Sequence, residues 1–135
     1  MSLLDIDHGC YNGTEAQFDS LRCMWSQAAG YGVLDFRDQG GPLMPKINLL
    51  AFSEEDMAGE WPNGAPDDPL LILLVHHERS GRIQWGHAGY LADRLEELER
   101  ILSVPGSTPA WVLMTQQFIR GLRTAAQWRQ DVVFS

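Results

Sequence analysis

Four histidines carry most of the metal-binding chemistry that this sequence offers: His8, His76, His77 and His87. Imidazole nitrogens are common zinc ligands, and carboxylate oxygens complete many mixed sites. His76 and His77 stand at the end of an apolar run, and His87 follows on the far side of a predicted hairpin. One hypothesis is therefore a metal-dependent hydrolase in which His76 or His77 binds a metal ion together with His87.

The remaining ligand of such a site would be a carboxylate. Glu78 is adjacent to the histidine pair, and the run of Glu54, Glu55 and Asp56 offers three more. No HExxH or HxH pattern accompanies the histidines, so their spacing does not demand a metal. The alternative is that one histidine of the pair packs in the core with a hydrogen bond while the others face solvent.

The cysteines and glycines point to no other catalytic or cofactor site. Cys10 lies near His8 but lacks a group that would orient the two as nucleophile and base. The spacing of Cys10 and Cys23 matches no zinc or redox motif, so we expect two free thiols. The glycines form neither GxGxxG nor GxxxxGKS or GxxxxGKT, and the sequence therefore predicts no nucleotide cofactor.

A long loop over residues 59–69 is the predicted partner-binding site. It is rich in proline and glycine, and its apolar residues do not recur at the spacing of a helix or a strand. Trp61 is its only large apolar residue. Tryptophan is enriched at binding hot spots. Glu60, Asp67 and Asp68 surround it with negative charge. In the alternative arrangement, Trp61 folds back onto the domain and covers an edge of the core.

The overall charge narrows the choice of partner. The chain of 135 residues has 18 acidic and 10 basic side chains, which gives a net charge of −8 at pH 7. Such a charge repels a phosphate backbone, so we expect no nucleic-acid partner. The first hypothesis for the function is a small, acidic, non-enzymatic interaction module. An inhibitor or immunity-type partner of a basic protein is one concrete form.

Three helices must position these residues, and the sequence predicts them at 15–29, 88–102 and 110–128. Each has apolar residues recurring along one face. The third helix follows Ser107-Thr108-Pro109, which reads as a cap with proline at the first helical position. Gly121 inside that helix is unfavourable for helix formation and indicates a close approach by another element.

The strands are predicted from short apolar or alternating runs. The six apolar residues at 70–75 are typical of a buried central strand, and 82–85 is its expected hairpin partner after a turn at Gly81. Ser53, followed by three carboxylates, is expected to start a short helix. Further strands are expected at 3–7, 31–36, 47–52 and 131–134.

This order of elements predicts an α+β fold. We expect a single domain over residues 1–135, with an antiparallel or mixed sheet packed by three helices. A three-layer α/β arrangement is the alternative. No run approaches the roughly 20 apolar residues of a spanning helix, and the start lacks the features of a secretory signal. We therefore expect a cytoplasmic protein that does not enter a membrane.

Three stretches resemble a family of small, uncharacterised bacterial and phage proteins. They are Tyr11-Asn12-Gly13-Thr14 with Phe18, the apolar strand ending in His76 with a turn glycine at Gly81, and Phe118-Ile119-Arg120-Gly121-Leu122-Arg123 leading to Val132-Val133-Phe134. The resemblance spans most of the chain. It implies an α+β fold and no established activity.

Overall fold

The computed structural model describes residues 3–77, 80–102, 105–106 and 109–135. Over these ranges the chain forms five α-helices and three antiparallel two-stranded ladders. The predicted α+β class is confirmed, and every ladder in the described part of the chain is antiparallel. The three-layer α/β alternative, which requires parallel strands, does not describe this fold.

The chain begins with a hairpin of β1, Leu3–Ile6, and β2, Tyr11–Thr14. Leu4 and Ile6 are buried and alternate with exposed residues, because successive side chains of a strand point to opposite faces. The strand predicted at 3–7 is therefore confirmed.

Helix α1, Glu15–Ala28, confirms the helix predicted at 15–29. Its N-cap is Thr14, whose side-chain oxygen accepts a hydrogen bond from the backbone N–H of Gln17 at 3.1 Å. This bond satisfies one of the donors that the first turn of a helix leaves without an internal partner. On the inner face of the helix, Trp25 is completely buried.

A second hairpin follows, made of β3, Val33–Asp35, and β4, Leu43–Pro45. It confirms the strand predicted at 31–36, although only the middle of that stretch pairs. The hairpin packs against α1 and leaves the next part of the chain at the surface.

The strand predicted at 47–52 is wrong. This stretch contains a 3₁₀ turn at Leu49–Ala51. The side-chain oxygen of Asn48 accepts a hydrogen bond from the backbone N–H of Leu50 at 3.2 Å. Such a local side-chain partner competes with strand pairing, and an apolar run alone could not reveal it.

Helix α2, Glu54–Met57, is the short helix expected after Ser53. The Ser53 hydroxyl accepts a hydrogen bond from the Asp56 N–H, and the Asp56 carboxylate accepts one from the Ser53 N–H. This reciprocal capping box satisfies two backbone donors. The acidic first turn also suits the positive end of the helix dipole.

The central strand predicted at 70–75 is wrong, because Leu70–Leu74 form a short helix, α3. The Asp68 carboxylate accepts a hydrogen bond at its start, and Arg22 donates hydrogen bonds to two carbonyls at its end. Nearly all of its side chains are buried. A run without a polar face does not distinguish a buried helix from a buried strand.

The hairpin predicted between that run and 82–85 is consequently wrong as well. Strand β5, Arg82–Ile83, pairs instead with β6, Val132–Val133, near the end of the chain. Strand β6 confirms the strand predicted at 131–134. Residues 78–79, which belong to the predicted hairpin turn, lie outside the described residues.

The two long helices in the second half of the chain are confirmed. Helix α4, Trp85–Leu102, begins three residues before the predicted 88–102, and α5, Ala110–Trp128, has the predicted bounds. Residues 107–108 of the predicted α5 cap lie outside the described residues. Pro109 occupies the N-cap position rather than the first helical position.

Gly121 confirms the close approach predicted within α5. A Cβ atom at this position would lie 2.8 Å from the backbone nitrogen of Cys10 and 2.9 Å from its Cα. Helix α5 therefore packs directly on the turn between β1 and β2. Cys10 and Cys23 are both buried, and both are free thiols, as predicted.

The core lies where α1, α4 and α5 meet the strands. The ring of Phe118 packs edge-on against Trp25, with the ring centroids 5.4 Å apart. The indole N–H of Trp25 donates a hydrogen bond to the Thr115 hydroxyl at 2.9 Å. A bridge between Ile6 and Phe134 joins the β1–β2 and β5–β6 ladders at the edge of this core.

Candidate functional site

The stretch 47–68, which we call the acidic segment, has a one-sided charge. It has six carboxylates and no lysine, arginine or histidine. It includes the 3₁₀ turn, helix α2 and most of the loop predicted to bind a partner. Its contacts with the rest of the molecule decide which carboxylates a partner can reach. The six acidic residues are Glu54, Glu55, Asp56, Glu60, Asp67 and Asp68.

Trp61 anchors the acidic segment to the core. Only 7% of its surface is exposed, and its ring packs edge-on against Phe52 with the centroids 6.0 Å apart. Its backbone φ of 47° lies in the left-handed region, which is unfavourable for a residue with a Cβ atom. The structure thus has the arrangement in which Trp61 folds back onto the domain. Its ring is not an exposed anchor in this conformation.

Asp68, a predicted partner-binding residue, is tied into the domain. Its carboxylate accepts hydrogen bonds from the Arg94 guanidinium at 3.0 Å and from the Tyr31 hydroxyl at 2.6 Å. Burial acts to raise the pKa of Asp68, but the hydrogen bonds from Arg94, Tyr31 and the Leu70 N–H hold it below its ordinary value. The Asp68 carboxylate is therefore charged at neutral pH, and that charge is compensated within the molecule.

Glu60 is paired in a similar way. It accepts a hydrogen bond from Arg82 at 3.0 Å, and the same guanidinium donates to Asp131 at 2.8 Å. The side-chain amide of Gln84 donates to the carbonyl oxygens of Gly59 and Glu60. These contacts fasten the acidic segment to the strand β5.

One part of the acidic segment that a partner can reach is the stretch 49–55, where every residue except Phe52 is exposed. Leu50 has 96% of its surface exposed, and Leu49 beside it has 41%. Glu54 and Glu55 are also exposed, and no ion pair in the described part of the chain involves them. An exposed leucine next to two uncompensated carboxylates suits a partner surface that is both apolar and basic. Asp67 is exposed and without an ion pair in the same way.

His76, the first predicted metal ligand, lies in the core. Only 3% of its surface is exposed, and its ring stacks on Phe134 with the centroids 4.0 Å apart. The Nδ1 atom of His76 lies 2.6 Å from the carbonyl oxygen of His77. Because a carbonyl oxygen only accepts hydrogen bonds, we assign the proton of the neutral ring to Nδ1, which donates this bond. Burial lowers the pKa of His76 to about 4, so the ring is neutral at pH 7.

The other two predicted metal ligands lie in different surroundings. His77 is exposed, whereas His87 in the first turn of α4 is partly buried, and burial lowers the pKa of His87. Within 3–77, 80–102, 105–106 and 109–135, no group of three His, Cys, Asp or Glu residues could hold a metal ion. Glu78 lies outside these ranges. The metal site stays a prediction, but the hairpin expected to bring His76 and His87 together is not formed.

Arg22 forms a buried polar cluster that the sequence analysis does not identify. Its side chain is 8% exposed and donates hydrogen bonds to Asp19 at 2.5 Å and to the His76 carbonyl at 2.8 Å. Its guanidinium also lies 5.0 Å from the ring centroid of Phe18. The position of Arg22 on the apolar face of α1, three residues before Trp25, is the signal that could have revealed it. The cluster joins α1 to the end of α3, where it satisfies backbone carbonyls.

No protein-family model, no curated protein and no solved structure matches this chain. The resemblance to small bacterial and phage proteins therefore stays a prediction. None of the described helices is long and apolar enough to cross a membrane. The function must follow from the residues and contacts of the chain itself.

Proposed function

We propose that this protein is a small, non-enzymatic interaction module that binds a basic protein through the exposed stretch 49–55. The observation that carries the proposal is the nearly complete exposure of Leu50 beside Glu54 and Glu55, which have no compensating cation among the described residues. The net charge of −8 adds a long-range attraction for a basic partner. An inhibitor or immunity-type protein would have these properties.

The acidic segment is held in place before a partner arrives, which supports this role. Trp61 is buried, and Glu60 and Asp68 are paired with Arg82 and Arg94. A surface that is already ordered loses less conformational entropy on binding than a flexible loop does. The binding test therefore leaves all of these anchoring residues unchanged.

Leu50 and the two glutamates would contribute to binding in different ways. Burying an exposed leucine side chain stabilises a complex by roughly 1.5–3 kcal/mol. Carboxylates at the rim of an interface mainly raise the association rate, and salt screens their effect. We therefore expect the affinity to depend on Leu50 and the salt dependence of association to depend on Glu54 and Glu55.

The test uses the triple variant Leu50→Ser/Glu54→Gln/Glu55→Gln. The wild-type protein is first used to capture a partner from an extract of its host, and the purified partner is then titrated by calorimetry. We expect the partner to be basic and to bind the triple variant at least about tenfold more weakly, which corresponds to about 1.4 kcal/mol. Rising salt should slow association with the wild type more than with the variant.

A matched control is available on the helices α4 and α5. Leu113→Ser/Asp93→Asn/Glu97→Gln also removes one exposed leucine and two exposed carboxylates. It matches the test variant in the charge removed, although these two carboxylates are paired with Arg123 and Arg94. This control should bind the partner with the wild-type affinity. If both triple variants weaken binding equally, the effect is that of overall charge and the stretch 49–55 is not the docking surface.

Metal analysis separates this proposal from the metal-dependent hydrolase. Zinc or manganese retained in stoichiometric amount after dialysis, and lost in a His76→Ala/His87→Ala variant, would favour the hydrolase and overturn the interaction module. The metal content is measured on the full chain, together with its circular dichroism spectrum. The spectrum shows whether the double variant is folded, since His76 lies in the core.

A further inference from the structure

A pocket lies between helix α1, the first turn of α5 and the β3–β4 hairpin. Its volume is about 320 Å³. Helix α1 contributes Ser20 and Met24 to its wall, and α5 contributes Trp111 and Met114. Leu43 of β4 closes the third side. These three elements approach one another without filling the space between them.

The wall of this pocket is uncharged. None of the described residues that line it is Asp, Glu, Lys, Arg or His, although 21% of the residues in the chain are charged. Its polar side chains are two glutamines, one serine and the thiol of Cys23. Burial raises the pKa of Cys23, so the thiol is neutral as well. Because the wall has no charged side chain, a charged ligand would lose part of its hydration without gaining a partner of opposite charge.

The size and the side chains of the pocket indicate the shape of a ligand. A protein cavity of about 150 Å³ accommodates benzene, and this pocket has about twice that volume. Met24 and Met114 are adaptable side chains whose sulfur atoms make favourable contacts with aromatic rings. Trp111 is 37% exposed and offers an aromatic surface at the pocket.

We propose that this pocket binds a neutral, apolar small molecule of about two aromatic rings. Water in an apolar pocket has few hydrogen-bond partners, so a ligand that displaces it gains affinity. A protein partner fits less well, since a stable interface takes about 20–30 residues on each side, whereas eleven described residues line the pocket. The site goes beyond the proposed docking of a basic protein, which uses the acidic segment.

The first experiment compares two probes that share one ring system. The full chain is titrated with the neutral fluorophore N-phenylnaphthylamine and with its sulfonated analogue, anilinonaphthalene sulfonate. We expect saturable binding of one neutral molecule per chain. The negatively charged analogue should bind at least about tenfold more weakly, because the uncharged wall cannot compensate its sulfonate.

Two filling variants test whether the neutral probe occupies this pocket. Ser20→Phe and Ala110→Phe each add a ring to an exposed residue of the wall and should weaken binding at least about tenfold. Ser20→Ala removes only the hydroxyl group and should bind within about twofold of the wild type. Ala65→Phe adds the same ring to an exposed residue outside the lining and should not change binding.

Alkylation of the two thiols provides a measurement that needs no substitution. Bound probe should slow the reaction of Cys23 with a neutral maleimide more than that of Cys10, which is buried and does not line the pocket. The proposal is overturned if no saturable binding occurs, if both probes bind equally, or if folded filling variants bind like the wild type. It is also overturned if the chain dimerises and the dimer excludes the probe, since a second copy would then occupy the pocket.

Discussion

Trp25 and Trp61 are both buried, but they hold two different regions of the molecule in different ways. Trp25 lies within α1, is completely buried and donates its indole N–H to the Thr115 hydroxyl. Trp61 lies in the acidic segment, has a left-handed backbone, and its buried Nε1 has no hydrogen-bond partner in the described part of the chain. Trp25 is thus held by packing and by a polar partner, whereas Trp61 is held by packing alone.

This difference has an energetic consequence. A buried polar group without a partner costs roughly 1–3 kcal/mol, and a left-handed backbone at a non-glycine residue costs about the same. The burial of the Trp61 side chain must offset both of these costs, whereas Trp25 has neither. We therefore expect the acidic segment to open locally at a lower free energy than the helical core.

The largest expected effect is that of Trp25→Ala. Truncation of a completely buried tryptophan leaves a cavity and should lower the free energy of unfolding by about 3–5 kcal/mol. Trp61→Ala should cost at least about 1 kcal/mol less, because it also removes a buried N–H group that has no partner. Urea denaturation followed by circular dichroism measures both. If Trp25→Ala and Trp61→Ala lowered the free energy of unfolding equally, the proposed difference between the helical core and the acidic segment would be contradicted.

A smaller effect is expected within the core at Gly121. In Gly121→Ala the new Cβ would lie 2.8 Å from the backbone nitrogen of Cys10. The backbone must therefore shift, which should cost about 1–3 kcal/mol of stability.

Gly89→Ala is the matched control for this substitution. The nearest heavy atom to a Cβ at Gly89 is 4.0 Å away, so this variant should become more stable by up to about 1 kcal/mol through helix propensity. Thermal and urea denaturation of the two variants measure the difference. A Gly121→Ala protein as stable as the control would show that the contact between α5 and the β1–β2 turn is loose.

The smallest effect is expected at the attachment of the acidic segment, in Asp68→Asn. Loss of the charged partner of Arg94 should lower the stability at pH 7 by about 1–2 kcal/mol. The folded protein holds the pKa of Asp68 below its ordinary value. The contribution of the carboxylate is therefore complete above about pH 4, and it is lost as the pH falls through the folded-state pKa.

The pH dependence of the difference between wild type and Asp68→Asn tests this expectation. The difference in unfolding free energy should shrink when the pH is lowered below about 4, as measured by urea denaturation in a pH series. Asp67→Asn is the control, because the adjacent Asp67 is exposed and has no ion pair among the described residues. A constant difference across the series would mean that the Asp68–Arg94 pair does not attach the segment.

The long helices could be predicted because their information is local. In α5, apolar residues recur along one face, and the structure has the predicted bounds 110–128. The start of α1 also depends on a local contact, because the Thr14 side-chain oxygen accepts a hydrogen bond from the Gln17 N–H three residues later. Even the close approach at Gly121 could be expected, although its partner Cys10 could not.

The short elements could not be predicted from the same type of pattern. The run 70–75 is apolar and the run 47–52 is apolar except for Asn48, yet the first forms a buried helix and the second contains an exposed 3₁₀ turn. In neither run do polar and apolar residues alternate at a spacing that would distinguish a helix from a strand. The partner of β5 is β6, and these strands are far apart in the sequence. Pairings of this kind depend on how the whole chain packs.

The sequence by itself determined the three long helices, the N-cap of α1 and the excess of negative charge, because neighbouring residues are sufficient for each of these properties. Only the tertiary structure decided that Trp61 is buried, that Asp68 is paired with Arg94 and that Leu50 is left exposed. Each of these outcomes depends on contacts between residues far apart in the chain, or on their absence. Burial and ion pairing are properties of the packed molecule, and no local pattern encodes them.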